Sequence, residues 1–201
     1  DYYIAISERV KSRIEKYYGR NVEAVIYPPV NTQGQASEAH QGPALKNYFL
    51  VVSRLVSYKR IDLIIDAFNE MRLPLVIIGT GHEEKLLRNL ASDTIHFVSS
   101  HLTDEQLAAY YGSCRAFLSA TDEDFGIAAV EAQAAGKPVI ALEGSGTAEI
   151  VRDGKTGILF PVQSKQSIID AVKKLQKTTI RARDCQKNSR RFAKELFAKE
   201  M

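Results

Sequence analysis

The stretch Tyr48-Phe49-Leu50-Val51-Val52-Ser53-Arg54-Leu55-Val56-Ser57-Tyr58-Lys59-Arg60 makes three structural statements in thirteen residues. Residues 48–53 are apolar without polar alternation, the pattern of a parallel strand buried on both faces. Residues 54–60 end that run with a loop carrying Arg54, Lys59 and Arg60. From 61 to 71 the apolar residues return at helical spacing, and 75–79 (Leu-Val-Ile-Ile-Gly) reads as a second buried strand. Strand, loop, helix and strand within about thirty residues make a βαβ unit, and such units pack with right-handed crossovers.

The same alternation continues outward. Strands are predicted over 94–98, 115–120, 138–142 and 157–160, and helices over 83–91, 104–111, 125–135, 148–152 and 165–176. The fold class is therefore α/β, a Rossmann-like doubly wound parallel sheet with helices on both faces, occupying residues 48–178. Residues 1–30 precede it as strand (2–7), helix (8–18) and strand (22–27), closed by Pro28-Pro29. Residues 31–47 are polar, hold Gln, Gly, Ser and Pro, and read as a linker loop. The tail, 179–201, reads as one helix with Phe192, Leu196 and Phe197 on one face and Arg181, Arg183, Lys187, Arg190, Arg191 and Lys194 elsewhere.

Composition narrows the function classes. The chain has 201 residues, 45% apolar and 25% charged, an ordinary globular balance with material for one sizeable core. A net charge of +3, from 27 basic and 24 acidic residues, is too small and dispersed for a nucleic-acid binder. Cys114 and Cys185 stand far apart, which suits a reducing, cytoplasmic compartment. The histidines His40, His82, His96 and His101 form no zinc-ligand spacing. No run approaches the ~20 apolar residues of a membrane span. The opening Asp1-Tyr2-Tyr3, without Met, suggests an excised piece of a longer chain.

An open parallel sheet binds ligands at the carboxyl ends of its strands, so the loops there are the candidates for chemistry. Arg54, Lys59 and Arg60 gather before the helix beginning near residue 61. Cations oppose a helix N-terminus at a typical cost of ~0.3–1 kcal/mol, which an anion bound at the same terminus would offset. A solvated loop with scattered Lys and Arg accounts for the spacing equally well. In Thr121-Asp122-Glu123-Asp124-Phe125-Gly126-Ile127-Ala128-Ala129-Val130-Glu131, Gly126 is read into the first helical turn, where it admits close approach of a ligand. Ile127, Val130 and Ala134 are expected to pack inward, with Glu123 and Glu131 facing the strand ends. Ordinary compensation of the helix dipole would also explain the three acids, and surface exposure would explain Glu131. Gly79-Thr80-Gly81 suits a close ligand approach, but Glu84 replaces the third glycine of a dinucleotide fingerprint.

Taken together these motifs become specific. Arg54-x4-Lys59, Gly79-Thr80-Gly81 and Glu123-x-Phe125-Gly126-x4-Glu131 occur in order. They are followed by Ala135-Gly136-Lys137-Pro138-Val139-Ile140-Ala141 and Glu149-Ile150-Val151-x-Asp153-Gly154-x-Thr156-Gly157-x-Leu159. The series, over 48 to about 176, resembles the C-terminal donor-binding domain of GT-B-fold retaining glycosyltransferases of family four, the group 1 transferases. Residues 1–30 resemble the end of the preceding domain and the interdomain strand, and the tail resembles the helix that crosses back in this fold.

The resemblance implies a set of roles. Arg54 and Lys59 would neutralise a diphosphate leaving group, and the amides near Phe125, Gly126 and Ile127 would touch phosphate or donor sugar. Glu131 would hydrogen-bond the ribose, Glu123 would contact the transferred sugar, and Val98 and Ser99 would line the base pocket. The loop Glu143-Gly144-Ser145-Gly146-Thr147 matches the family's glycine pair only loosely and receives no role. The chemistry implied is transfer of a sugar, with retention, from a nucleoside-diphosphate sugar to a glycan or lipid-linked acceptor, without a cofactor or metal. The wording of residues 120–127 most resembles mannosyltransferases of surface-polysaccharide synthesis, which implies GDP-mannose. The acceptor would be met by a separate N-terminal domain, so this chain is expected to bind donor without turnover. Alternatives are a sugar-nucleotide epimerase or sucrose-type synthase on the same fold, and a non-catalytic nucleotide-binding module. The tail reads as a solvated or domain-crossing helix, with peripheral contact at the inner membrane face as the alternative.

Overall fold

The computed structural model describes residues 2–32, 47–99 and 101–201, so the expected linker over 31–47 falls mostly outside the described residues. The main body is a parallel sheet of six strands: β3 (Phe49–Val52), β4 (Leu75–Ile78), β5 (Ile95–Val98), β6 (Ala116–Ser119), β7 (Val139–Leu142) and β8 (Gly157–Phe160). Their spatial order is β5-β4-β3-β6-β7-β8. Helices α2 (Ile61–Met71), α3 (Glu84–Leu90), α4 (Asp104–Ser113), α5 (Ile127–Ala134), α6 (Gly146–Ile150) and α7 (Lys165–Lys177) connect and cover the strands. The predicted elements match these in kind and order, with most ends shifted by a residue or two.

Uniformly apolar strands still sort their side chains by the pleat. Phe49, Val51, Leu75 and Ile77 face one core with Ile61, Ile64, Ile65 and Phe68 of α2 and with Ile168, Ile169 and Val172 of α7. Tyr48, Leu50, Val76 and Ile78 face the other, with Tyr111 of α4 and Ala129, Val130 and Ala132 of α5. Alternate residues thus reach opposite layers, as the two-residue repeat of a strand requires. In α2 the buried positions 61, 64, 65 and 68 form the stripe that lays the helix on the sheet.

Before this body come β1 (Ile4–Ala5), α1 (Glu8–Tyr18) and β2 (Ala24–Val25), with β1 and β2 paired in parallel as a separate two-stranded sheet. Ser7 caps α1 by accepting from Val10 N at 3.0 Å, and Gly19 closes it in the left-handed region at φ 58°.

The tail differs from the single predicted helix. It forms α8 (Ala182–Ser189), a 3-10 turn (Arg190–Phe192) and α9 (Lys194–Glu200). The break falls at Ala193, whose extended backbone (φ −69°, ψ 149°) bridges Val30, while Val30 N donates to Phe192 O at 2.9 Å. The Phe192 ring is buried edge-on to Tyr27 and Phe125, at 5.2 and 5.4 Å between centroids. Leu196 stays 43% exposed, so the expected shared face with Phe192 does not form. Pairing with Val30 and burial of Phe192 outweigh the continuation of one helix. Farther in, Asn188 donates to Gln133 Oε1 (2.7 Å) and Ile150 O (2.6 Å), fastening α8 beneath α5 and α6.

Candidate functional site

From β3 the chain builds outward through β4 to β5, then returns to lay β6 on the other side of β3. The loops leaving β3 and β6 therefore diverge at the point where ligands enter such sheets. A cavity of about 30 Å³ lies between them, bounded by Ser53, Lys59, Thr121, Glu123, Gly126 and Thr147.

The β3 loop contains a 3-10 turn (Ser57–Lys59) and ends at Arg60, whose φ of 52° turns the chain into α2. Arg60 forks onto Asp62 at 3.1 and 3.0 Å, so its charge is compensated beside its own helix. All three cations do gather at this terminus, Arg60 as the N-cap of α2, but Arg60 is taken up by Asp62 and Lys59 by Glu123. Tyr58 stands between Arg54 and Lys59 and was not singled out from the sequence. Its hydroxyl accepts from Arg54 Nη2 at 2.9 Å, its ring lies 5.0 Å from the Lys59 ammonium, and its carbonyl accepts from Thr121 Oγ1 at 2.9 Å. Arg54 is exposed, whereas Lys59 is partly buried and paired with the carboxylate of Glu123.

On the β6 loop the three consecutive acids divide their partners. Asp122 takes the guanidinium of Arg9, Asp124 takes that of Arg13 at 2.6 Å, and Glu123 takes Lys59. They do more than compensate a helix dipole, since each has a specific cationic partner. Glu149 of α6 meets α1 as well, accepting from Glu8 N (2.9 Å), Arg9 N (2.8 Å) and the Tyr27 hydroxyl (3.1 Å). Burial first, then the charge of Glu149, pushes the Tyr27 hydroxyl up to about 12. A wider open groove of about 450 Å³ runs alongside, bounded by Arg9, Asp122, Glu143, Gly144, Val162 and Gln163.

Two expectations about α5 need correction. The helix begins at Ile127, after Gly126 at φ 104°, so Phe125 and Gly126 precede its first turn. Ile127 points outward at 49% exposure, while Val130 and Ala134 pack inward as expected. The Phe125 side chain is buried and stacks on Tyr27 at 5.6 Å, and it is Gly126 that borders the cavity. At Gly126 a side chain would meet Thr147 Oγ1 at 2.4 Å. The glycine is needed for packing against the first turn of α6 as well as for its backbone angle. The Thr147 hydroxyl is buried with no hydrogen-bond partner among the described residues.

Gly79 and Gly81 are explained the same way. Side chains there would strike Ser53 O at 1.9 Å and Leu55 O at 2.2 Å. The β3 loop makes a close approach there, held by Leu55 N donating to Thr80 O at 2.9 Å. These glycines shape the loop that carries Arg54 and Lys59.

Glu131 is half-buried, and its Oε2 accepts from the buried Tyr111 hydroxyl at 2.9 Å. Burial holds the Glu131 carboxyl above its ordinary range, although the Tyr111 hydrogen bond pulls it partly back. Burial raises Tyr111 as well, assisted by the charge of Glu131. Glu131 does not line the cavity that Lys59 and Glu123 share. Val98 ends the edge strand β5, and Ser99 follows it. Ser99 Oγ donates to Glu84 Oε1 at 2.5 Å and accepts from Arg88 at 2.8 Å, while Arg88 lies 4.7 Å over the Phe97 ring. Among the described residues no group of three or more His, Cys, Asp or Glu is placed to hold a metal ion. No helix there is long and apolar enough to cross a membrane.

Fold and crevice define a Rossmann-like α/β domain with its charged loops at the switch point. The chain belongs to the family described as glycosyl transferases group 1, whose model matches residues 34–192. It is 30% identical to the O-antigen chain mannosyltransferase C of Escherichia coli over 159 residues, covering 75% of this chain and 43% of the relative. It is 32% identical to a GDP-mannose-dependent alpha-(1-6)-phosphatidylinositol monomannoside mannosyltransferase of Mycobacterium tuberculosis over 197 residues, covering 85% of this chain and 51% of the relative. The structure of Anabaena Alr3699/HepE in complex with UDP and glucose superposes with a TM-score of 0.82 at 21% identity, over 98% of this chain and 60% of that one. The chain spans about half the length of the curated relatives it matches.

Proposed function

We propose that the crevice between the β3 and β6 loops binds a nucleoside-diphosphate sugar, and that this chain is the donor-binding half of a retaining glycosyltransferase. The observation that carries the reading is the convergence of Lys59 and Glu123 at the switch point, with Arg54 on the same loop as Lys59 and the start of α5 beside them. In this reading Arg54 and Lys59 stabilise the negative charge that develops on the departing diphosphate, and the amides following Phe125 add to it. Glu123 hydrogen-bonds the transferred sugar, Glu131 the ribose, and the end of β5 at Val98 and Ser99 borders the base. The two cations supply the positive charge that the leaving group needs, so binding proceeds without a divalent metal. The two mannosyltransferases above, of which the Mycobacterium tuberculosis one is GDP-mannose-dependent, support mannose from GDP-mannose as the sugar moved, onto a glycan or lipid-linked acceptor.

A thermal-shift panel of GDP, UDP, ADP and their sugar conjugates tests the reading. A ligand at 100 times its dissociation constant adds ~2.7 kcal/mol of stability, and the guanosine pair is expected to give the largest shift. No shift with any nucleotide would refute donor binding, and a uridine preference would refute GDP-mannose alone. Loss of the shift in EDTA, restored by Mg²⁺, would overturn the metal-free part.

A further inference from the structure

Helix α1 has no fully buried residue, so apolar burial does little to fasten it. Its long-range polar contacts run to one place. The Glu149 carboxylate receives the first two amides of the helix, at 2.9 and 2.8 Å. Arg9 forks onto Asp122, with Nε to Oδ1 at 3.0 Å, and Arg13 reaches Asp124 Oδ1 at 2.6 Å. Both acids flank Glu123, the partner of Lys59.

Exposed ion pairs of this kind contribute little to stability, a median of about 0–1 kcal/mol. The fork of an arginine on a carboxylate instead supplies geometric definition. Asp122, Glu123 and Asp124 are consecutive on one loop, and of the three only Glu123 lines the cavity with Lys59. Taking the two outer ones into α1 leaves only the middle one for the ammonium. We propose that Arg9 and Arg13 are positioning residues for the donor site: by occupying Asp122 and Asp124 they keep those acids from competing for Lys59, and so tie the crevice to the segment that precedes the linker. This inference rests on the assignment of Lys59 and Glu123 to the donor.

The test is a set of variants of this chain, titrated calorimetrically with the nucleotide sugar that the thermal-shift panel selects. Arg9→Ala/Arg13→Ala is expected to lose affinity on the order of tenfold, a size typical of coupling between contacting groups. Asp122→Asn/Asp124→Asn breaks the same contacts from the other side but leaves no competing acid, and is expected to bind like the parent. Combining all four changes is expected to restore the parental affinity. Equal losses in the arginine and aspartate variants would mean that the pairs merely hold the loop's shape, and would overturn the proposal. Parental affinity in the arginine variant would overturn it as well. The series is repeated near 1 M salt, where the screening length falls to about 3 Å. A tenfold ratio that persists supports contact competition, and one that vanishes assigns the effect to distant charge and overturns the proposal. Should the arginine variant fail to fold, the aspartate pair still decides, because its own loss of affinity contradicts the mechanism. Lys59→Ala serves as the reference. If it binds like the parent, the donor-site assignment itself is wrong, whatever the arginines do.

Discussion

At residue 123 a carboxylate meets an ammonium from a different loop, at the edge of the cavity of about 30 Å³ that both line. Eight residues on, at 131, a second carboxylate meets a neutral phenol inside the α4–α5 packing. The first is held by opposite charge, with a partner that an incoming anion can also use. The second is held by the fold, under burial that disfavours its charge. One passage from strand to helix therefore carries an exchangeable charge and a fixed, pH-sensitive one. If both contact the donor, they contact it through different physics.

The sharpest way to break this comparison is Lys59→Ala. It strips Glu123 of its cation and the proposed diphosphate site of a charge, and truncation of one member of a partly buried charged pair typically costs about 2–5 kcal/mol. Affinity for nucleoside diphosphate is expected to fall by that amount in calorimetric titration. A loss below tenfold would remove Lys59 from the diphosphate site.

Next in size is the contrast between the two acids. Glu131→Ala is expected to weaken the bare diphosphate and the sugar conjugate alike, by about 1.5–3 kcal/mol, because a ribose contact is common to both. Glu123→Ala is expected to spare the diphosphate and weaken only the conjugate. Equal losses from both variants with both ligands would erase the separate ribose and sugar roles.

A smaller effect comes from pH. Glu131 binds its proton more tightly in the folded chain than when unfolded. Its charging therefore lowers stability as pH rises from the ordinary carboxylate value, ~4.3, through the raised folded value; below that window the cost is absent. Glu131→Gln is expected to flatten this part of the stability profile and to raise the melting temperature at pH 7 by a few degrees at most. The Tyr111 hydrogen bond favours the charged form. Tyr111→Phe is thus expected to move the acid limb of donor binding to higher pH, and an unmoved limb would separate Tyr111 from Glu131. The smallest effect belongs to the exposed side: Arg13→Ala is expected to change unfolding free energy by less than about 1 kcal/mol in urea titration.

Much of the architecture was legible beforehand because it is written in short-range repeats. Apolar runs at 48–53 and 75–79 and the helical stripe in α2 are local patterns, and local patterns report strands and helices. The misreadings are instructive. Ile127 looked like a core residue by spacing, yet Gly126 delays the helix and turns that side chain outward. Gly79, Gly81 and Gly126 were read only as openings for a ligand, and packing gives each a further reason, because each makes room for another part of the chain. Tyr58, Thr147, Arg9 and Arg13 received no role from the sequence. Only the two cations flanking Tyr58 could have drawn attention to it.

The sequence by itself determined the order of strands and helices, the loops that bear charge, and the resemblance that assigns them. Those depend on periodicity and spacing over tens of residues at most. The tertiary structure alone decided which acid meets which base, because the partners lie far apart in the chain: 64 residues separate Lys59 from Glu123, and 113 separate Arg9 from Asp122. It also decided that the tail breaks at Ala193, where Val30 supplies the backbone partner. A charge or an amide has no sequence-encoded address for its partner. Only the packing of the sheet, which brings the β3 and β6 loops side by side and α1 against them, selects one.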